Sequence, residues 1–134
     1  MYVPELYAKK DIPVLHGFMR QHSFATVITQ HEGAPFASHL PLMVDSGIGA
    51  QGGLIGHLAR NNPQSRDLTA GAEVLAIFHG PHAYVSGGWY EPNAMAVPTW
   101  NYAVVHAYGR ARILPEDELE QALRRLAEEN EKCH

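Results

Sequence analysis

After Asp11 the apolar residues Ile12, Leu15, Phe18 and Met19 recur at three- and four-residue spacing, the period of an amphipathic helix. Asp11 is placed to cap its first turn and Pro13 fits inside it. This helix should lie on the outside of the sheet that follows. From residue 24 the period changes. Residues 24–29 and 36–44 are apolar, β-rich runs joined through His31-Glu32-Gly33-Ala34-Pro35, which reads as a hairpin. Pro41 lies inside the second run and cannot donate to a ladder. It marks an edge strand, a bulge, or a place where a ligand takes up the neighbouring backbone groups. A glycine-rich turn over residues 46–53 leads to a strand over residues 54–58.

Asn61 or Asn62 as N-cap, Pro63 at the first helical position and Gly71 as the stop predict a helix between them. Residues 74–79 and 83–86, flanking Gly80-Pro81, read as a second hairpin. After a loop over residues 87–96 comes a long strand over residues 99–113. Trp100, Tyr102, Val104, His106, Tyr108 and Arg110 share one face of it, and Ala103, Val105, Ala107 and Ala111 the other. A closing helix starts near Pro115-Glu116-Asp117 and carries Leu119, Leu123 and Leu126 on one stripe. The pattern predicts a mainly β fold with flanking helices, without repeats or an interdomain linker.

The 134 residues suit a single domain, residues 1–134, and a composition 46% hydrophobic and 18% charged suits a folded, soluble one. No apolar run is long enough for a membrane helix, so no membrane partner is expected. The start Met1-Tyr2-Val3-Pro4-Glu5 lacks the pattern of a signal peptide, and Cys133 is the lone cysteine; both point to the cytoplasm. A net charge of −4 argues against direct nucleic-acid binding, which needs clustered Lys and Arg. The nine histidines show no metal-ligand spacing, and no metal is expected. His79 and His82 flank the Gly80-Pro81 turn and could meet a metal, but they read first as solvated turn histidines.

Two segments carry candidate chemistry. Val97-Pro98-Thr99-Trp100-Asn101-Tyr102 joins a proline-bounded loop, an aromatic and a carboxamide to a long strand, which suits a flat polar ligand; the alternative is core or interface aromatics. In Gly56-His57-Leu58-Ala59-Arg60-Asn61-Asn62-Pro63-Gln64 a helix start follows cationic residues. Arg60 and His57 with free backbone N–H groups would hold a phosphate, or else Arg60 is a solvated flank and His57 structural. No Walker or Gly-x-Gly-x-x-Gly spacing occurs. His106 reads as a core or interface histidine satisfied by a hydrogen bond.

His39-Leu40-Pro41, the Gly56 to Gln64 block, Gly80-Pro81-His82-Ala83-Tyr84-Val85-Ser86, Trp89-Tyr90 and the Val97 to Tyr102 block, in this order, resemble successive signatures of the PaiB-type negative transcriptional regulators. The element order likewise resembles the FMN-binding split barrel, an antiparallel Greek-key β-barrel. The resemblance implies FMN held between the subunits of a homodimer. His57, Arg60, Asn61 and Asn62 would take the phosphate, and His39, Leu40 and Pro41 would run beside the isoalloxazine. Thr99, Trp100 and Asn101 would complete the pocket from the partner.

Family members continue into a segment with a Lys-x-Ser-Gln-Asn type motif, whereas this chain ends at Glu131-Lys132-Cys133-His134. It resembles a shortened member, for which weak FMN binding or an empty pocket is expected. Split barrels host several functions. A flavin-binding regulator is the first reading. A small FMN-dependent oxidoreductase, a flavin reductase or pyridoxamine-phosphate-oxidase-like enzyme, is the second, with no catalytic acid or base evident. A haem protein with His39, His57 or His106 as axial ligand ranks third, since no Cys-x-x-Cys-His occurs.

Overall fold

A computed structural model describes residues 1–91 and 95–132; Cys133 lies outside them. Helix α1 (Ile12–Gln21) begins as its sequence predicts, with Asp11 Oδ1 accepting from the Val14 N–H at 3.0 Å. Strands β1 (Phe24–His31) and β2 (Ala34–Pro41) form the expected hairpin in full register, from Phe24 opposite Pro41 to His31 opposite Ala34. Glu32 (φ 49°) and Gly33 (φ 82°) make the tight turn, both in the left-handed region that matches strand twist.

The run 36–44 is not one strand. Pro41 ends β2, because its partner Phe24 is the first residue of β1 and nothing remains to pair. Leu42 turns the chain, its N–H donating to Ser23 O at 2.9 Å. Strand β3 (Met43–Asp45) then pairs with β4 (Gly53–Ile55) in a separate two-stranded sheet. The second predicted strand of that ribbon is therefore three residues long rather than five.

Helix α2 (Gln64–Thr69) ends in a Schellman arrangement: Gly71, at φ 71°, donates to Leu68 O at 3.1 Å and Ala72 to Asp67 O at 3.0 Å. Strand β5 (Glu73–Val85) then runs straight through Gly80-Pro81, where a hairpin was expected. Its register against β6 (Thr99–Arg110) slips there, from His79 opposite Val104 to His82 opposite Tyr102. The Gly-Pro pair is a bulge, two residues facing Ala103 alone, which accommodates a residue without an N–H inside a paired strand. Gly80 packs closely there: a Cβ would stand 2.5 Å from Phe18 Cζ and would push the ring aside.

The fold is mainly β and antiparallel with flanking helices, as expected. The four-stranded sheet has the order β2-β1-β5-β6, and the β3–β4 ribbon and α2 form the excursion that brings β5 back on the far side of β1. The core lies on one face of the sheet, where Met19, Ala25, Val27, Leu42, Val44, Ala76 and Phe78 are buried. Val105 and Ala107, from the small face of β6, pack against it. Helix α3 (Glu116–Glu131) buries Leu126 but leaves Leu119 and Leu123 exposed, and it is tied to the ribbon by Arg125 and Asp45 at 2.9 Å.

Candidate functional site

Strand β2 lies at a sheet edge, so one row of its backbone N–H and C=O groups has no strand partner. This edge carries His39, Leu40 and Pro41. His39 is exposed, with Nδ1 3.1 Å from Thr26 Oγ1; Leu40 and Pro41 are half-buried. The segment between β4 and α2 runs beside them. A Cβ on Gly56 would lie 2.6 Å from Leu42 Cδ2 and 3.2 Å from Pro41 O, so the two stretches approach closely and any larger residue would displace the Leu42 side chain.

Asn62 locks the arrangement. Its Oδ1 accepts from the Gln64 N–H at 3.0 Å and its Nδ2 donates to Ser38 Oγ at 2.9 Å, so one amide caps α2 and clamps it to β2. Pro63 has helical backbone angles, as a first helical residue should. His57, Arg60 and Asn61 are exposed in this segment, and Arg60 makes no ion pair among the described residues. With six residues α2 is shorter than predicted and has little dipole to offer, so attraction for an anion here falls to the Arg60 guanidinium.

Behind this segment lies a polar network that the sequence did not reveal. Gln64 is fully buried, and its Nε2 lies 3.1 Å from Val27 O, Thr29 Oγ1 and Phe36 O alike. Thr29 Oγ1 donates to Asp67 Oδ2 and His31 Nδ1 meets Asp67 Oδ1, both at 2.9 Å. The hydrogen bond with His31, helped by that from Thr29, holds the Asp67 carboxyl below the usual range. A glutamine in the first turn of a short helix ordinarily faces solvent, so periodicity carries no signal for this one.

Thr99, Trp100 and Asn101 stand elsewhere. They are exposed on β6, which is separated from β2 by β1 and β5, and opposite the stretch of β5 that extends past β1. Within one copy the structure does not bring them to His39 or Arg60. Trp100 packs against Tyr84 and His82, with ring centroids 6.1 and 5.6 Å apart. Trp100 is 58% exposed, Tyr102 64% and Tyr108 70%, so the bulky face of β6 is uncovered. A cavity of about 370 Å³ opens at this face, lined by His79, Gly80, His82, Trp100, Tyr102 and His106 among others. His106, expected to be satisfied, has a buried Nδ1 without a hydrogen-bond partner among the described residues, and burial pushes its pKa below 6.5. Among the described residues no three His, Cys, Asp or Glu side chains converge on a possible metal position.

Comparison with known proteins decides the family: residues 1–134 match the model of the family described as "Putative FMN-binding domain". The chain is also 41% identical over 135 residues, 98% of its length and 62% of the relative's, to the Protease synthase and sporulation protein PAI 2 of Bacillus subtilis. The chain belongs to the PaiB-type FMN-binding family. An uncharacterized protein of Emericella nidulans is 30% identical over 92% of the chain and 61% of its own length. The chain thus spans about three-fifths of the curated relatives it matches. Among solved structures, the FAD and heme binding protein from Mycobacterium smegmatis superposes with a TM-score of 0.72 at 16% identity, over 90% of this chain and 54% of that one; it shares the fold.

FMN is the flavin of this PaiB-type domain, and the donor set fits it. Arg60 suits a phosphate, the open edge of β2 suits the polar rim of a ring, and Trp100 suits a ring face. His106 Nδ1, being buried, offers that ligand no accessible atom, and it has no hydrogen-bond partner among the described residues. No helix among the described residues is long and apolar enough to cross a membrane.

Proposed function

We propose that this protein is a cytoplasmic, homodimeric FMN-binding regulator built on a single domain, whose flavin occupancy or redox state biases a partner protein or promoter complex. The observation that carries the dimer is the separation of the two halves of the candidate site. Arg60 and the β2 edge lie at one side of the sheet, while the uncovered aromatics of β6 lie at the other. A pocket using both needs a second copy. In it Arg60, His57, Asn61 and Asn62 hold the phosphate, and His39, Leu40 and Pro41 border the ring. Thr99, Trp100 and Asn101 of the second copy close it.

FMN, when bound, supplies one- and two-electron redox chemistry. The chain's own residues bind, orient and shield it from water. A regulatory role is in keeping with the Bacillus subtilis relative, named Protease synthase and sporulation protein PAI 2. The net charge of −4 favours an action through a partner over direct contact with DNA.

The test is an absorbance spectrum of the protein purified without and then with added FMN, run beside sedimentation. Flavin bands and a dimer are expected. A Soret band would move the reading to haem. Steady oxidation of NADH or NADPH by the FMN-loaded protein would replace the regulator with an oxidoreductase.

A further inference from the structure

Helix α3 carries more than the whole net charge of the chain. Seven carboxylates and two guanidinium groups lie between Glu116 and Glu131, a net −5, against −4 for all 134 residues, so everything outside α3 is net +1. Glu118 meets Arg112 at 3.6 Å and Glu120 meets Arg124 at 2.8 Å. The other five carboxylates of α3 make no ion pair among the described residues.

Along the same helix Leu119, Leu123 and Leu126 stand four and then three positions apart, which puts them on one stripe. Only the last is covered: Leu126 is 5% exposed, whereas Leu119 is 43% and Leu123 40% exposed. The ion pair of Arg125 with Asp45 adjoins the buried Leu126, so α3 is held at this end while the first half of its stripe stays open. Carboxylates border the stripe on both sides. Glu116 and Glu120 each precede a leucine of it by three positions, and Glu118 and Glu129, eleven positions apart, lie along the opposite border; all four are exposed.

We propose that the open stripe of α3 docks a basic amphipathic segment of a partner protein, whose apolar residues pack on Leu119 and Leu123 while its Lys or Arg side chains meet the bordering glutamates. Apolar anchors at helical spacing supply affinity, and charge at the rim selects the partner and speeds encounter. The sign of the charge decides against other occupants. A second copy would set net −5 against net −5. Helices that lie on membranes carry Lys and Arg on their polar face, and nucleic acid likewise needs cations. The inference rests on the preceding reading for the regulatory meaning of a partner; flavin takes no part in the surface itself.

The probe is a synthetic peptide with Leu at i, i+4 and i+7 and Lys bordering them, beside a scrambled peptide of the same composition and a version with Glu in place of Lys. Each is titrated by fluorescence anisotropy into the full chain and into Leu119→Ser/Leu123→Ser, with FMN titrated into the same preparations. Wild type is expected to bind the ordered peptide at least about tenfold more tightly than the scrambled one, less tightly as salt rises, and to ignore the Glu version. The double variant is expected to lose about tenfold in peptide affinity and to bind FMN unchanged. Equal binding of ordered and scrambled peptides by wild type would reduce α3 to a plain acidic surface and overturn the proposal. Weaker self-association of the double variant would make the stripe a contact between copies and overturn it too. Peptide binding without flavin binding would remove the FMN reading and leave the docking surface standing. Hydrogen exchange on wild type decides the matter if the variant fails to fold: peptide should protect the amides of α3, and protection elsewhere, or none, overturns the proposal.

Discussion

The side-chain amide of Asn62 donates to the hydroxyl of Ser38 across 2.9 Å, joining the start of α2 to the edge strand β2. Two sequence blocks, one around His39 and one around Arg60, thereby become neighbours.

Arg60→Ala should weaken FMN by about tenfold to a hundredfold and leave riboflavin unchanged, since a hydrogen bond to a charged phosphate is worth about 1.5–3 kcal/mol. Calorimetric titration with both ligands checks this. An equal loss for the two would remove Arg60 from the phosphate.

Gln64→Ala should destabilise the protein by about 2–4 kcal/mol, because it opens a cavity and strands the carbonyls of Val27 and Phe36 that now accept from Nε2. Urea unfolding should show a lower midpoint with little change in slope. A loss under about 0.5 kcal/mol would mean that water replaces the amide.

Asp67 sets an acid limit. Its folded-state pKa lies below 3.8, chiefly through the hydrogen bond with His31, so the unfolded chain takes up this proton first as pH falls. The contribution is complete above the ordinary carboxylate range and is lost as pH drops through 3.8 towards the lower folded value. Asp67→Asn should flatten the fall in unfolding free energy between pH 5 and pH 3. Parallel curves for variant and wild type would deny Asp67 this role.

Trp100→Asp should weaken self-association by about thirtyfold or more, the effect of losing an aromatic anchor at the centre of an interface. Sedimentation across a dilution series reads it. If wild type sediments as a monomer at micromolar concentration, the outer face of β6 is not a dimer surface.

Retention of DNA by the purified protein should be weak and lost at physiological salt, given the net charge of −4. Filter binding at two salt concentrations suffices. Tight, sequence-selective retention at physiological salt would instead place the protein directly on a promoter.

Local signals were legible wherever local groups do the work. Asp11 caps α1 with its own side chain, Glu32-Gly33 forms the β1–β2 turn, and Gly71 closes α2; each depends on residues within a few positions. The alternation along β6 was equally plain, because period 2 sends Val105 and Ala107 inward and Trp100 and Tyr102 outward whatever the neighbours are. The ordered motif blocks likewise sufficed to assign the family.

Other features depend on partners remote in the chain. A Gly-Pro pair has the same local signature in a turn and in a bulge, and only β6 pairing on both sides of Gly80-Pro81 made it a bulge. The run 36–44 broke because β1 begins at Phe24, a limit set by another strand. Gln64 became a buried tie and His106 an orphaned nitrogen through what surrounds them, not through their own spacing. Thus periodicity, caps, turns and family were determined by the sequence itself, since short-range sterics and hydrogen bonds settle them. Strand limits, the satisfaction of buried polar groups and the separation of Arg60 from Trp100 were decided only by the tertiary structure, because each is a relation between residues that meet on folding.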